Sequence, residues 1–248
     1  MTAPVLPCPT APQPLGTSAP LHPCSPAPLL RPSLEYQHAF DLCAVEAHRE
    51  GGPVAVFASS PFYARKLLKR LDGCEATLVP IGGWSSSSAN IGELLGPEVE
   101  HPDVQILESL DVQAKAAVWA EPERESSRQV LKHVHQVLLP GGHLYVIASG
   151  WLARFLPEWK RDDGLPGERP VGLRQTITSL RQGGFTVEAL YGFHGPESIL
   201  WGYAFRLMER LGRGDLADRC LFKMRAEYMV SGQQAMWTPV GVTLARKR

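Results

Sequence analysis

The sequence predicts an α/β fold in which a mostly parallel sheet lies between two layers of helices, and three observations carry that prediction. Within residues 130–149, Leu131, Val134, Val137 and Leu138 share one helix face and Pro140-Gly141-Gly142 breaks the helix. Leu144, Val146 and Ala148 then alternate along a strand whose other face carries Tyr145 and Ile147. A strand apolar on both faces must be covered on both, which is the habit of parallel sheets flanked by helices. At 248 residues the chain is long enough to bury such a core in one domain, with room for an insertion or a tail.

Taken in order, residues 1–33 hold ten prolines and a single charged side chain, Arg31. Proline fixes φ and removes backbone donors, so this stretch is expected to be a disordered tail, with the folded domain running from 34 to 248. Ser33 is placed to cap a helix over about 34–49, which ends in His48 and Arg49 and is closed by Gly51-Gly52-Pro53. Residues 53–58 (PVAVFA) read as the first buried strand, and Ser59-Ser60-Pro61 as the turn into a helix packing through Leu67, Leu68 and Leu71. Residues 75–81 form a second strand that Pro80 confines to an edge or an end. Residues 104–107 and 116–120 supply a third and a fourth. A helix over about 171–182 ends at Gly183-Gly184 and leads into a strand at 185–190, and 240–245 is the last strand. Between those two strands lies a helical insert, about 196–232. Leu200, Tyr203, Ala204, Leu207, Met208 and Leu211 form one amphipathic face of its first helix, and Asp215 caps a second with Leu216, Cys220, Met224 and Tyr228 on its inner side.

Lys plus Arg equals Asp plus Glu at 25 each, so no overall field favours nucleic acid or an anionic membrane surface. No run approaches the roughly 18 apolar residues of a membrane span, no secretory signal is visible, and a cytoplasmic location is expected. The five cysteines are odd in number and never form a Cys-x-x-Cys pair, which argues against a disulfide framework and a zinc site. His133 and His135 point about 200° apart on a helix and cannot chelate one ion.

The succession of helix, Leu138-Leu139-Pro140-Gly141-Gly142 and buried strand resembles the segment after the fourth strand of class I S-adenosylmethionine-dependent methyltransferases. The helix ending at Gly183-Gly184-Phe185 resembles the entry to their sixth strand. The resemblance covers residues 53–246 and implies a Rossmann-like, seven-stranded sheet, mostly parallel, with an antiparallel last strand. It also implies a cofactor, S-adenosylmethionine, held at the carboxyl ends of the strands.

On that resemblance Ala58, Ser59 and Ser60 occupy the place of the family's glycine-rich turn, whose glycines this chain lacks. Ser59 or Ser60 would hydrogen bond the cofactor, against the plainer role of capping the next helix. Gly82 and Trp84 stand where the family has a ribose-binding carboxylate, also lacking here, with Trp84 available to stack on adenine or cover the sheet edge. Glu108 and Ser109 resemble the adenine-contacting loop. Glu121, after the fourth strand, is the carboxylate placed as general base, and His194, after the sixth, is placed to reach a substrate.

Two readings follow from different classes. One is methyl transfer from S-adenosylmethionine to a small, apolar or aromatic molecule, in a pocket lined by Trp151, Phe155 and Trp159. The other is a methyltransferase-like module without catalysis, in which the proline-rich tail or the helical insert is a protein-contact surface. A nicotinamide-dependent oxidoreductase on a similar sheet is a third, and it too should show the missing glycine turn.

Overall fold

Five consecutive buried residues, Val-Ala-Val-Phe-Ala, make β1 (Val54–Ala58) the inner strand around which the sheet is laid. A computed structural model of the chain describes residues 32–81, 91, 95, 103–105, 107, 111–122, 127–155, 171–226 and 228–248. Helix α1 (Pro32–Glu50) precedes β1, and α2 (Pro61–Leu68) follows it. Strands β2 (Ala76–Pro80), β3 (Asp103–Val104) and β4 (Ala114–Ala120) come next, then α3 (Ser127–Val137), β5 (Leu138–Ser149), α4 (Leu173–Gln182) and β6 (Phe185–Phe193). The chain continues through α5 (Pro196–Arg210), α6 (Gly214–Ala226), β7 (Met229–Ser231) and β8 (Val240–Lys247).

The sheet order is β3-β2-β1-β4-β5-β8-β6-β7. The first five strands pair in parallel, while β8 runs antiparallel between β5 and β6. The mostly parallel sheet with an antiparallel last strand is therefore as expected. An eighth strand, the three-residue β7, is added antiparallel along β6.

Alternation along each strand sorts the core into two layers. Val54, Val56, Ala116, Val118, Tyr145 and Ile147 face α1 and α2, meeting Phe40, Cys43, Tyr63 and Leu67. Ala55, Phe57, Ala117, Trp119, Leu144 and Val146 face α3 and α4, meeting Val130, Val134 and Leu180. At about 25 cal/mol per Å² of apolar area, burying residues of this size is the main force holding the layers together.

Several expectations change. Helix α1 starts at Pro32, which puts Ser33 in its first turn and not at its cap; residues 1–31 lie outside the described ones. Strand β3 is Asp103–Val104, earlier and shorter than residues 104–107. Pro80 stands at the end of β2, one of the two places expected for it, and β2 is an inner strand. Helix α6 begins at Gly214, so Asp215 lies inside its first turn. The apolar face of the insert's first helix is turned outward, Leu200 being 67 % exposed and Leu207 54 %, while Ile199 and Gly202 are buried; on its second helix Cys220 and Met224 are buried and Leu216 is exposed. Among the described residues no helix is long and apolar enough to cross a membrane.

Candidate functional site at the carboxyl edge

Strand order reverses between β1 and β4, and in open α/β sheets ligands bind outside the carboxyl ends of the strands at such a switch. Register places Ala58 beside Ala120, Ala120 beside Ile147, and Ser149, Val240 and Phe193 in one row across β5, β8 and β6. Glu121 and His194 each follow the last residue of a strand, so both stand on this edge. They are the non-glycine residues with left-handed backbone among the described residues, at φ +51° and +56°. Such a conformation costs of order 1 kcal/mol or more per residue and collects at functional positions.

Glu121 is buried, 4 % exposed, and its N–H donates to the Ile147 carbonyl at 2.9 Å. Its Oε1 accepts from the hydroxyl of Tyr36 in α1 and, at 3.4 Å, from Ser149 at the end of β5. Charge-assisted bonds of this kind fix a carboxylate's direction and offset part of its desolvation. The sequence offered no sign of Tyr36, which lies far from Glu121 along the chain.

His194 is 3 % exposed, and its N–H donates to the Tyr228 carbonyl at 2.7 Å. Its Nδ1 lies 3.1 Å from Ser198 Oγ, which itself donates to the Met224 carbonyl at 3.1 Å. The one hydroxyl proton of Ser198 is thus committed, so Ser198 accepts from His194, and Nδ1 carries the imidazole proton. Nε2 is left as a bare acceptor, buried and without a hydrogen-bond partner among the described residues. Burial, and secondarily the neighbouring His38, push the imidazole down to about 4, so it is neutral at pH 7. His38 of α1 packs against this group, with ring centroids 5.6 Å from His194, 5.1 Å from Tyr228 and 6.1 Å from Phe193.

The turn after β1 needs no glycine because neither Ser59 nor Ser60 has a positive φ. Ser60 is the cap of α2, accepting from the Tyr63 N–H at 3.4 Å. Ser59 donates to the Ala120 carbonyl at 3.5 Å, tying the tips of β1 and β4 together. Ala58 is fully buried, and its carbonyl accepts from Ile81 at 2.9 Å.

The structure thus gathers Ala58, Ser59, Ser60 and Glu121 at the switch point. It does not bring Glu121 and His194 together, since three strand spacings, about 14 Å, separate β4 from β6. Gly82, Trp84, Glu108 and Ser109 lie outside the described residues. Trp151 is 42 % exposed and meets Trp237 edge-on at 4.9 Å, so the two rings pack a surface turn. A groove of about 620 Å³ lies between α3 and α4, away from the carboxyl edge.

No protein-family model and no curated protein matches the chain. Among solved structures it is similar to an S-adenosylmethionine-dependent methyltransferase from Thermotoga maritima, described as a "possible histamine N-methyltransferase". That likeness has 14 % identity, covers 86 % of this chain and 91 % of the other, and has a TM-score of 0.50. It is also similar to a geranyl diphosphate methyltransferase in complex with GPP and sinefungin, at 12 % identity, 87 % and 78 % coverage and a TM-score of 0.49. The [4+2]-cyclase SpnF matches at 18 % identity, 85 % and 80 % coverage and a TM-score of 0.46. The fold is that of the class I S-adenosylmethionine-dependent methyltransferases.

Proposed function

We propose that the chain transfers a methyl group from S-adenosylmethionine to a small molecule bearing an O–H or N–H. One observation carries this reading: Glu121 and His194 hold left-handed backbone at the carboxyl edge, one on each side of the β5–β8 pair. A fold alone would leave the acceptor open; an ordered carboxylate and a buried imidazole nitrogen without a partner among the described residues give it chemistry.

The residues fit the cofactor in part. The turn at Ala58, Ser59 and Ser60 carries only small side chains, and the positive end of α2 opens there toward any carboxylate. Ser59 is the hydroxyl for that contact, because Ser60 is engaged as the cap. Gly82, Trp84, Glu108 and Ser109 are assigned to the nucleoside by the resemblance.

S-adenosylmethionine, when bound, supplies a methyl group already activated on a sulfonium, so the protein's work is alignment and proton handling. Glu121, held by Tyr36 and Ser149, sets negative charge at the switch point, where a cation is favoured. His194 presents Nε2 as an acceptor for the proton of the O–H or N–H being methylated. At about 4 it is a weak base, so it orients that proton and receives it only as the acceptor's charge develops. With about 14 Å between the two strands, Glu121 serves the cofactor side and His194 the acceptor side.

The second reading, a module without catalysis, is favoured by Ser59 and Ser60, whose buried side chains stand where glycines would let a ligand approach the backbone. Calorimetric titration with S-adenosylmethionine and S-adenosylhomocysteine separates the two. Methyl transfer requires saturable binding with Kd on the order of tens of micromolar or tighter, weakened by Ser59→Leu. No heat at about 1 mM of either ligand would leave only the module.

A further inference from the structure

The apolar stripe of α5 has no part in the methyl-transfer reading. Leu200, Tyr203, Leu207 and Leu211 recur at three- and four-residue spacing, so they share one face of the helix and its end. They are 67, 51, 54 and 61 % exposed, while Ser198, Ile199 and Gly202 are buried on the other side. Toward α6 the face is closed by Trp201, over which the Lys223 ammonium lies at 4.3 Å. At about 200 Å² for each fully exposed side chain, the four leave about 450 Å² open, more than half of the ~800 Å² that one partner commits to a stable interface. Apolar residues scattered singly are ordinary on a surface; four along one helix face mark a contact patch.

The charges around the stripe select its occupant. Glu197 stands in the first turn of α5 and Arg210 in the last, both exposed. When a helix pairs antiparallel with a copy of itself, residues whose numbers have the same sum stand opposite each other. Leu200 with Leu207 and Glu197 with Arg210 have the same sum. One register therefore joins the leucines and sets the acidic end of each helix against the basic end of the other, with Tyr203 meeting Ala204 at the twofold axis. Glu197 and Arg210 flank the stripe on opposite sides, and a shallow crossing of about +20° turns each toward its counterpart on the other copy. The rim carries both signs, Glu197 and Glu209 against Arg210 and Arg213. An anionic lipid surface would select Lys and Arg alone.

We propose that α5 is the interface of a homodimer, in which two copies of the chain pack antiparallel about a twofold axis beside Tyr203 and Ala204. The patch is then complementary to itself, so pairing closes it and leaves no apolar face for a third copy. The antiparallel arrangement also sets the positive end of each helix dipole beside the negative end of the other. Ser198, which accepts from His194 Nδ1, lies in the same helix two residues before Leu200, so the interface adjoins the acceptor side of the candidate site.

Sedimentation velocity on the full chain, from about 1 to 100 µM, should show monomer passing to dimer with a Kd on the order of 10 µM or tighter. Leu200→Asp and Leu207→Asp, both at exposed positions, should weaken dimerisation at least about tenfold while the far-ultraviolet circular dichroism stays unchanged. Glu197→Arg and Arg210→Glu should each weaken it, and the double reversal should recover most of the loss. A chain that stays monomeric up to about 100 µM, or a dimer indifferent to the aspartates and to charge reversal, would overturn the proposal. So would a monomer that floats with phosphatidylcholine vesicles and loses them in Leu207→Asp, which would give the stripe to a lipid surface. None of these results depends on whether S-adenosylmethionine binds.

Discussion

The Tyr36 hydroxyl in α1 donates to Oε1 of Glu121 one residue beyond β4, so a helix that precedes the sheet in sequence closes the tip of its central strand. Replacing Tyr36 by Phe removes that donor without changing the packing against Phe40 and Tyr63, whose ring centroids lie 5.9 and 5.1 Å away. The buried carboxylate then keeps its desolvation cost with one bond fewer. Tyr36→Phe should lower unfolding stability by about 1–3 kcal/mol in urea titration. An unchanged urea midpoint would show that the bond contributes nothing.

His194 gives stability a pH dependence of definite sign. Its folded-state pKa of about 4 lies below the ordinary 6.5, so the unfolded chain binds the proton more tightly. The contribution is fully present above about pH 6.5 and is lost as pH falls toward 4, amounting to about 3 kcal/mol at most. His38 and His135, lowered chiefly by burial, act in the same direction. Melting temperatures measured at pH 7 and pH 5 should fall more in the wild type than in His194→Gln. Parallel curves would refute the assignment.

Ser60 and Ser59 should separate by assay. Loss of the α2 cap in Ser60→Ala should cost about 1 kcal/mol of stability. Ser59→Ala, with its bond to Ala120 at the 3.5 Å limit, should leave the melting temperature nearly unchanged and weaken S-adenosylmethionine binding in calorimetry. The opposite ranking would move the cofactor contact to Ser60.

Gly150 has no room for a side chain. A Cβ there would lie 1.8 Å from the Thr238 carbonyl oxygen, a backbone atom that cannot swing aside, while the Gly150 N–H donates to Pro239 at 2.7 Å. Gly150→Ala should therefore destabilise by about 3 kcal/mol or more, seen as a large drop in melting temperature. Gly214→Ala, at a glycine with open space and no positive φ, is the matched control.

The fold was legible because each buried strand announces itself as a short apolar run, and the covered strand β5 demands helices on both sides. The placement of Glu121 and His194 was legible for a related reason: the ends of such runs mark the carboxyl edge. Tyr36 was not, because a contact between a helix and a strand so far apart in the chain leaves no local pattern. Nor was β7, whose three residues are too few to set up a pattern and of which Met229 and Ser231 are exposed. The stripe of Leu200, Tyr203 and Leu207 was legible and its exposure was not; helical periodicity reveals that a face exists, and only packing decides whether anything covers it.

Helix α1 touches both ends of the carboxyl edge within one turn, through Tyr36 to Glu121 and through His38 to His194. Two residues apart, these side chains are separated by about 3 Å of helical rise. A small tilt of this one rod therefore displaces the carboxylate and the imidazole in concert, although four strands of sheet span the distance between them. The helix thus links the two residues by a shorter route than the sheet provides.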